Sequence, residues 1–183
     1  AFHEPKYAES ASRAADFVLT KLQKDGRLLK RYREGEAKLP AHADDYAFMI
    51  WGLMELYEAT FELKYLRSAI DLNQKMIGHF WDQENGGFYF TADDGEPLLA
   101  RTKEIYDGAV PSANSVAALN LIRLSRITGK EDFANKAAQI GKAFSKNIAQ
   151  MPMGYTQFLI AMDFAFGPSY EIVIAGSEKA QDV

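Results

Sequence analysis

With 183 residues, 48% hydrophobic and 25% charged, the chain is long and apolar enough to bury a real core, as one domain or part of one. A formal net charge of -4 with no concentrated basic block excludes the electrostatic footprint of a nucleic-acid binder. The absence of cysteine excludes disulfides, thiolate zinc sites and thiol nucleophiles within this sequence.

No apolar run reaches the roughly 18 residues a membrane span needs, and residues 1–10 lack a signal-peptide pattern. Together with the missing cysteines, this reads as a soluble cytoplasmic protein with no membrane partner. Over residues 10–22, Ala11, Ala14, Ala15, Val18 and Leu22 recur at helical spacing with Arg13, Asp16, Lys21 and Gln23 turned outward, which predicts a one-sided helix. After Asp25-Gly26, residues 28–33 and 36–39 flank Glu34-Gly35, a short β-hairpin whose glycine supplies the positive φ, and Pro40 closes it.

Residues 45–60 are apolar almost throughout (Phe48, Met49, Ile50, Trp51, Leu53, Met54, Leu56, Tyr57), the mark of an inner helix covered on most sides. Residues 64–81 keep Leu66, Ala69, Ile70, Ile77 and Phe80 on one face and Arg67, Asp71, Gln74 and Lys75 on the other, the mark of an outer helix, expected to be no more buried than its inner partner. Asn85-Gly86-Gly87 ends it. Residues 88–91 then read as a strand and Asp94-Gly95 as a second hairpin turn.

The pattern recurs. Residues 112–128 are nearly all apolar, and 131–148 are amphipathic through Phe133, Ala137, Ile140 and Phe144. A shift of 68 residues pairs Leu53 with Leu121, Leu56 with Leu124, Thr60 with Thr128, Tyr65 with Phe133 and Ala69 with Ala137. Such a repeat describes helix pairs that cannot bury their apolar faces alone and stack on sister pairs. A last helix is predicted over 156–166, and 171–176 reads as a buried strand. That strand has no sequence left to pair with and the chain begins without Met, so both ends read as cut from something longer.

The repeat also places polar groups. It lays His42-Ala43-Asp44-Asp45 near Val110-Pro111-Ser112-Ala113-Asn114, so both clusters belong on the rim formed by the inner-helix N-termini, where free backbone N–H groups favour polar ligands. Asp44, Asp45, Glu104 and Asp107 are candidate acid, base or hydroxyl-binding groups. His42, Tyr46, Lys103, Tyr106, Ser112 and Asn114 are candidate binding or positioning groups, and Trp81 and Phe88 flank Gly86-Gly87 where they could stack on a sugar ring. The bland alternatives stand beside these: Asp44, Asp45 or Ser112 caps a helix, the loop charges of Lys103, Glu104 and Asp107 are solvated, and the aromatics cover helix ends. The three histidines, His3, His42 and His79, lack ligand spacing, so neither metal nor cofactor is expected.

At Asp44-Asp45-Tyr46-Ala47, Gly52-Leu53, Leu56-Tyr57-Glu58-Ala59-Thr60, Gly86-Gly87-Phe88-Tyr89, Arg101-Thr102-Lys103-Glu104, Asp107-Gly108-Ala109-Val110-Pro111-Ser112-Ala113-Asn114-Ser115 and Glu171-Ile172-Val173-Ile174, the chain resembles the C-terminal half of thioredoxin-domain-containing proteins of the YyaL and spermatogenesis-associated protein 20 type. The resemblance implies an all-α fold: an α/α-hairpin repeat forming part of an (α/α)6 toroid, with short β-hairpins between hairpins and a C-terminal strand. It is similar to N-acylglucosamine 2-epimerases and six-hairpin glycosidases, and a loop like Phe80-Trp81-Asp82 to Gly86-Gly87-Phe88 recurs among the epimerases. Residues 1–168 would be the partial toroid and 169–183 the start of a truncated β/α extension. The expected function is a carbohydrate-active domain, epimerase- or glycosidase-like; the epimerases' paired histidines match neither His42 nor His79. The alternative is a non-catalytic helical scaffold presenting clients to the thioredoxin-like domain. Expected partners are a small carbohydrate, the missing toroid and thioredoxin-like portions of the longer chain, and a second copy covering any apolar surface left open.

Overall fold

The computed structural model describes residues 4–168 and Tyr170. In chain order the elements are α1 (Pro5–Lys21), β1 (Gln23–Lys24), β2 (Arg27–Arg33), β3 (Glu36–Pro40), α2 (Ala43–Thr60), α3 (Leu63–Phe80), α4 (Ala113–Thr128), α5 (Glu131–Gln150), a 3-10 turn (Pro152–Gly154) and α6 (Thr156–Phe166). Among the described residues no helix is long and apolar enough to cross a membrane.

Local chemistry sets the boundaries. α1 begins at Pro5, which needs no N–H partner in the first turn, so the helix starts five residues earlier than its apolar periodicity suggests. α2 begins where the Asp45 carboxylate accepts the His42 backbone N–H at 2.8 Å, with Asp44 and Asp45 at the positive end of the helix dipole. α4 begins after Pro111, where Ser112 Oγ accepts the Ser115 N–H at 3.1 Å. The hairpin turn at Glu34-Gly35 has φ of 54° and 83°, which aligns Arg33 with Glu36 and Arg31 with Lys38. The sheet runs β1-β2-β3, antiparallel throughout.

Two-residue connections fold α2 back on α3 and α4 back on α5, making two antiparallel hairpins. α2, α4 and α6 stand in one row, with α3 packed behind α2 and α5 behind α4. The repeat is visible atom by atom. Thr60 Oγ1 donates to Leu56 O at 2.8 Å and accepts from Glu62 N at 3.3 Å; Thr128 Oγ1 donates to Leu124 O at 2.6 Å and accepts from Lys130 N at 3.4 Å. Each helix then turns through a left-handed residue, Phe61 (φ 55°) or Gly129 (φ 69°). Behind them, Tyr65 and Phe133, Ala69 and Ala137, Leu72 and Ile140 are buried pairwise at the repeat offset.

α4 is the central inner helix: eleven of its residues are buried, against four in α5. α2 buries seven residues, only as many as α3, because it has an inner neighbour on one side and α1 alone on the other. Residues 88–91 do not form the expected strand. Only a Trp81–Phe88 bridge is present, since the Asn114 side chain takes both the N–H and the C=O of Phe88 and leaves no ladder to extend. The Asp94-Gly95 hairpin is absent too, because the Asp94 carboxylate turns to Arg27 at 2.7 Å. The strand expected at 171–176 lies outside the described residues, as does the extension expected over 169–183 apart from Tyr170.

Candidate functional site

The connection between α3 and α4, residues 81–112, lies over the N-termini of the inner helices. Backbone hydrogen bonds tie it down, among them Ala43 N to Phe90 O (3.0 Å), Tyr89 N to Phe80 O (2.8 Å) and Asp107 N to Gly154 O (2.8 Å), while Phe90 N to Thr102 O (2.8 Å) braces it internally. The α2, α4 and α6 starts therefore share one rim, as the repeat offset requires.

Asp82, which the sequence reading passed over, organises the loop. Its carboxylate accepts the N–H groups of Glu84 and Asn85 (3.0 Å each), the Tyr89 hydroxyl (3.0 Å) and the Lys103 ammonium (2.7 Å). The Lys103 contact, more than the two backbone N–H groups, holds the Asp82 carboxyl far below the usual carboxylate range. The Tyr89 hydroxyl, donating to that carboxylate, is raised above its ordinary value. Lys103 also donates to Gly86 O at 2.9 Å, and Arg101 bonds Thr91 O and His79 O while its guanidinium lies 4.2 Å from the Tyr89 ring centre. An Asp followed closely by Gly86-Gly87 is the signal that could have found this hub, because aspartate bonds its own following N–H groups in turns.

The other candidates separate into two groups. Several take structural partners. Asp107 Oδ1 accepts Ser112 N at 2.8 Å, and Oδ2 accepts Gln157 N (2.9 Å) and Phe158 N (3.3 Å), so this carboxylate caps α6 and braces the start of α4. Asn114 Nδ2 donates to Phe88 O and Glu104 O, Ser112 caps α4, and the buried Tyr46 hydroxyl accepts Leu28 N at 2.9 Å. Phe88 is fully buried and Trp81 nearly so; their rings meet edge to face at 4.9 Å, which puts both in the covering arrangement.

The remaining candidates are exposed or half-buried. Glu104 and Tyr106 are exposed, the latter edge-on to Tyr155 at 6.1 Å. At the start of α2, Lys30 Nζ stands 3.2 Å from His42 Nδ1 and 3.3 Å from Asp45 Oδ2, and His42 packs on Phe90 with ring centres 4.5 Å apart. Asp44 Oδ1 is buried with no hydrogen-bond partner among the described residues. His42, Asp44 and Asp45 present ligand-type atoms within 4.8 Å of one another, as do the more exposed His79, Asp93 and Asp94; Lys30 in the first cluster and Arg27 in the second supply the positive charge there.

A concavity runs along the inner row, toward the end away from the rim. Trp51, Glu55, Glu58, Arg123, Ile160 and Phe164 help line a cleft of about 390 Å³. Arg123 bridges Glu55 (2.6 Å) and Glu58 (2.7 Å), and the Trp51 indole N–H donates to Glu55 at 3.0 Å. Burial alone would lower the Arg123 pKa, but the two carboxylates overcome it and raise it. The i,i+4 spacing of Trp51 and Glu55 was readable in the sequence.

An inner row of helices, each backed by an outer partner and capped by long loops at one rim, defines the class: a segment of an α/α-hairpin toroid. Solved structures agree on the fold. A GH76 alpha-mannanase of Bacteroides thetaiotaomicron superposes with a TM-score of 0.65 at 14% identity over 91% of this chain and 48% of that one. A D-mannose isomerase gives 0.67 at 16% identity over 79% and 38%, and the cellobiose 2-epimerase of Bacillus thermoamylovorans 0.64 at 10% over 79% and 37%. No family model matches the sequence.

The homologues are spermatogenesis-associated protein 20, which bears out the resemblance carried by the motifs above. The human protein is 35% identical over 166 residues, 86% of this chain and 21% of that protein; the rat protein is 38% identical over 140 residues, 76% and 18%. The chain thus spans about a fifth of the length of these relatives.

Proposed function

We propose that this chain supplies part of the wall and rim of a carbohydrate-binding toroid. The observation that carries the reading is the uncommitted Asp44 carboxylate oxygen, buried at the inner-helix rim with ligand-type atoms of His42 and Asp45 within 4.8 Å of the Asp44 carboxylate. A buried acceptor without a donor is costly, and a ligand hydroxyl would satisfy it. In this reading Asp44 accepts a sugar hydroxyl, Glu104 acts as the proton-transfer group and Tyr106 offers its exposed ring for stacking. Asp45, Asp107, Lys103, Ser112, Asn114, Tyr46, Trp81 and Phe88 position them. Three structural neighbours bear the names of mannan, mannose and cellobiose enzymes, which favours hexose chemistry over other ligands.

Isothermal titration of the protein against hexoses, N-acetylhexosamines and disaccharides tests this. Binding of at least one sugar is expected, abolished by Asp44→Asn and unchanged by Gln74→Ala on the outer face of α3. Wild-type protein that binds no sugar in the panel would transfer the weight to a non-catalytic helical scaffold. That second reading is favoured by one observation: Asp107, Ser112, Asn114 and Lys103 already bond within the chain.

A further inference from the structure

We propose that Gln157, at the start of α6, is a second ligand-binding residue of the rim, and that the ligand is a neutral saccharide of two or more units lying across the start of α4. The inference rests on the carbohydrate reading above and adds to it a residue and a ligand length.

Asp44, Asn114 and Gln157 hold equivalent places, each the second residue of its inner helix, α2, α4 or α6. In the middle of the row Asn114 is committed, bonding the N–H and C=O of Phe88 and the carbonyl of Glu104. On either side of it a polar atom is left over. Asp44 Oδ1 and Gln157 Nε2 are both withdrawn from water without a hydrogen-bond partner among the described residues, and Gln157 as a whole is only 7% exposed. An amide N–H kept from water without an acceptor is costly, so an oxygen brought by a ligand is favoured there.

Helical spacing turns both groups to the same side of the row. Asp44 shares a face of α2 with Trp51 and Glu55, seven and eleven residues on, and Gln157 shares a face of α6 with Ile160 and Phe164, three and seven residues on. Those four residues line the cleft along the inner row, so Asp44 and Gln157 head its two walls at the rim. α4 stands between them, and packed helices lie about 8–10 Å apart. One sugar ring spans a single such interval, whereas engaging both groups takes a chain of two or more rings. The polarity fits a neutral saccharide: the Asp44 carboxylate accepts a hydroxyl and repels an anion, and the Gln157 amide donates to a hydroxyl, ring or glycosidic oxygen. Between and beside them stand Glu104, whose carbonyl Asn114 holds at the start of α4, and the exposed Tyr106 ring, next to Tyr155 and so two residues from Gln157. A ring to stack on, close to an amide that bonds the sugar's edge, suits one saccharide unit at the α6 end.

Titration calorimetry of the full natural polypeptide that carries this sequence tests this, with mannose, mannobiose and mannotriose as one series and glucose, cellobiose and cellotriose as the other. In at least one series the disaccharide is expected to bind roughly tenfold tighter than its monosaccharide, as befits one further hydrogen bond to a buried group. Gln157→Leu, which removes the donor, should bring the disaccharide down to the affinity of the monosaccharide. Gln157→Glu, which keeps the shape and sets an acceptor where the donor stood, should do the same. Equal affinities for monosaccharide and disaccharide in the wild type would overturn the proposal and leave the carbohydrate reading standing, and that comparison needs no variant to fold. Either Gln157 variant, shown to be folded by its thermal melt and still preferring the disaccharide, would overturn it equally. A wild type that binds none of the six sugars overturns both readings together.

Discussion

The Lys103 ammonium reaches the Asp82 carboxylate at 2.7 Å across twenty-one residues of loop, and both groups are largely withdrawn from water. Removing only one member of such a pair leaves the other charge uncompensated, so Lys103→Met should cost roughly 3 kcal/mol in urea unfolding. The acid limb should change as well. Because the folded Asp82 carboxyl is held far below its ordinary 3.8, the unfolded chain binds the proton more tightly. The pair's contribution is therefore complete above about pH 4 and is lost as pH falls below that. Asp94, depressed chiefly by its bond from Arg27, adds to the same limb. Wild type should lose more stability than Lys103→Met between about pH 4 and pH 2; equal slopes would contradict this origin.

Gly87 sits at φ +82°, and a Cβ there would stand 3.0 Å from Phe144 Cε2 and 3.3 Å from Asn114 Oδ1. Gly87→Ala combines backbone strain with a collision against α5 and should cost about 2 kcal/mol or more. Gly95→Ala, whose Cβ meets nothing nearer than Ala92 O at 3.5 Å, should leave the melting temperature nearly unchanged. Thermal melts of the two variants decide it.

Phe61 holds the left-handed position that glycine occupies in the next repeat, and it is 78% exposed. Phe61→Gly should therefore stabilise the fold by up to about 1 kcal/mol, since strain is relieved while little buried area is lost. Gly129→Ala should shift the midpoint the other way. Denaturation in which both variants lose stability would show that the Phe61 ring contact with Tyr57 outweighs the strain.

Asp107→Asn tests the cap directly. An amide cannot accept at both positions: its NH2 would face Ser112 N–H or the paired Gln157 and Phe158 N–H groups. An isosteric change therefore costs about 1–3 kcal/mol. Melting temperature should fall in the purified variant; an unaltered melt, with loss only of sugar binding, would return Asp107 to the candidate catalytic groups.

Periodicity made the hairpins readable, because inner and outer helices differ in how many sides they bury, and Thr60 and Thr128 repeat together with their surroundings. The rim was readable as a place, since the offset brought residues 42–45 and 110–114 to equivalent helix starts. Partners within it were not. Phe88 with Asn114 spans 26 residues and Asp107 with Gln157 spans 50, and no periodic pattern encodes a contact between a loop and a distant helix start. The aromatic run Phe88-Tyr89-Phe90 reads as a strand for the same reason: pattern reports which residues want burial, not which side chain will take their backbone groups.

Asp107 also governs how the molecule comes apart. One carboxylate holds backbone N–H groups at the starts of both α4 and α6, Oδ1 on the first and Oδ2 on the second, so displacing Asp107 loosens both helix starts together. Stacked repeats ordinarily melt as a sum of unit and neighbour terms, and can unravel from an end. Here the neighbour term is a shared anchor at the helix starts, reinforced in the row by Asn120 and Arg123. Hydrogen exchange should accordingly release the first turns of α4 and α6 in a single opening event, with the same free energy and the same denaturant dependence.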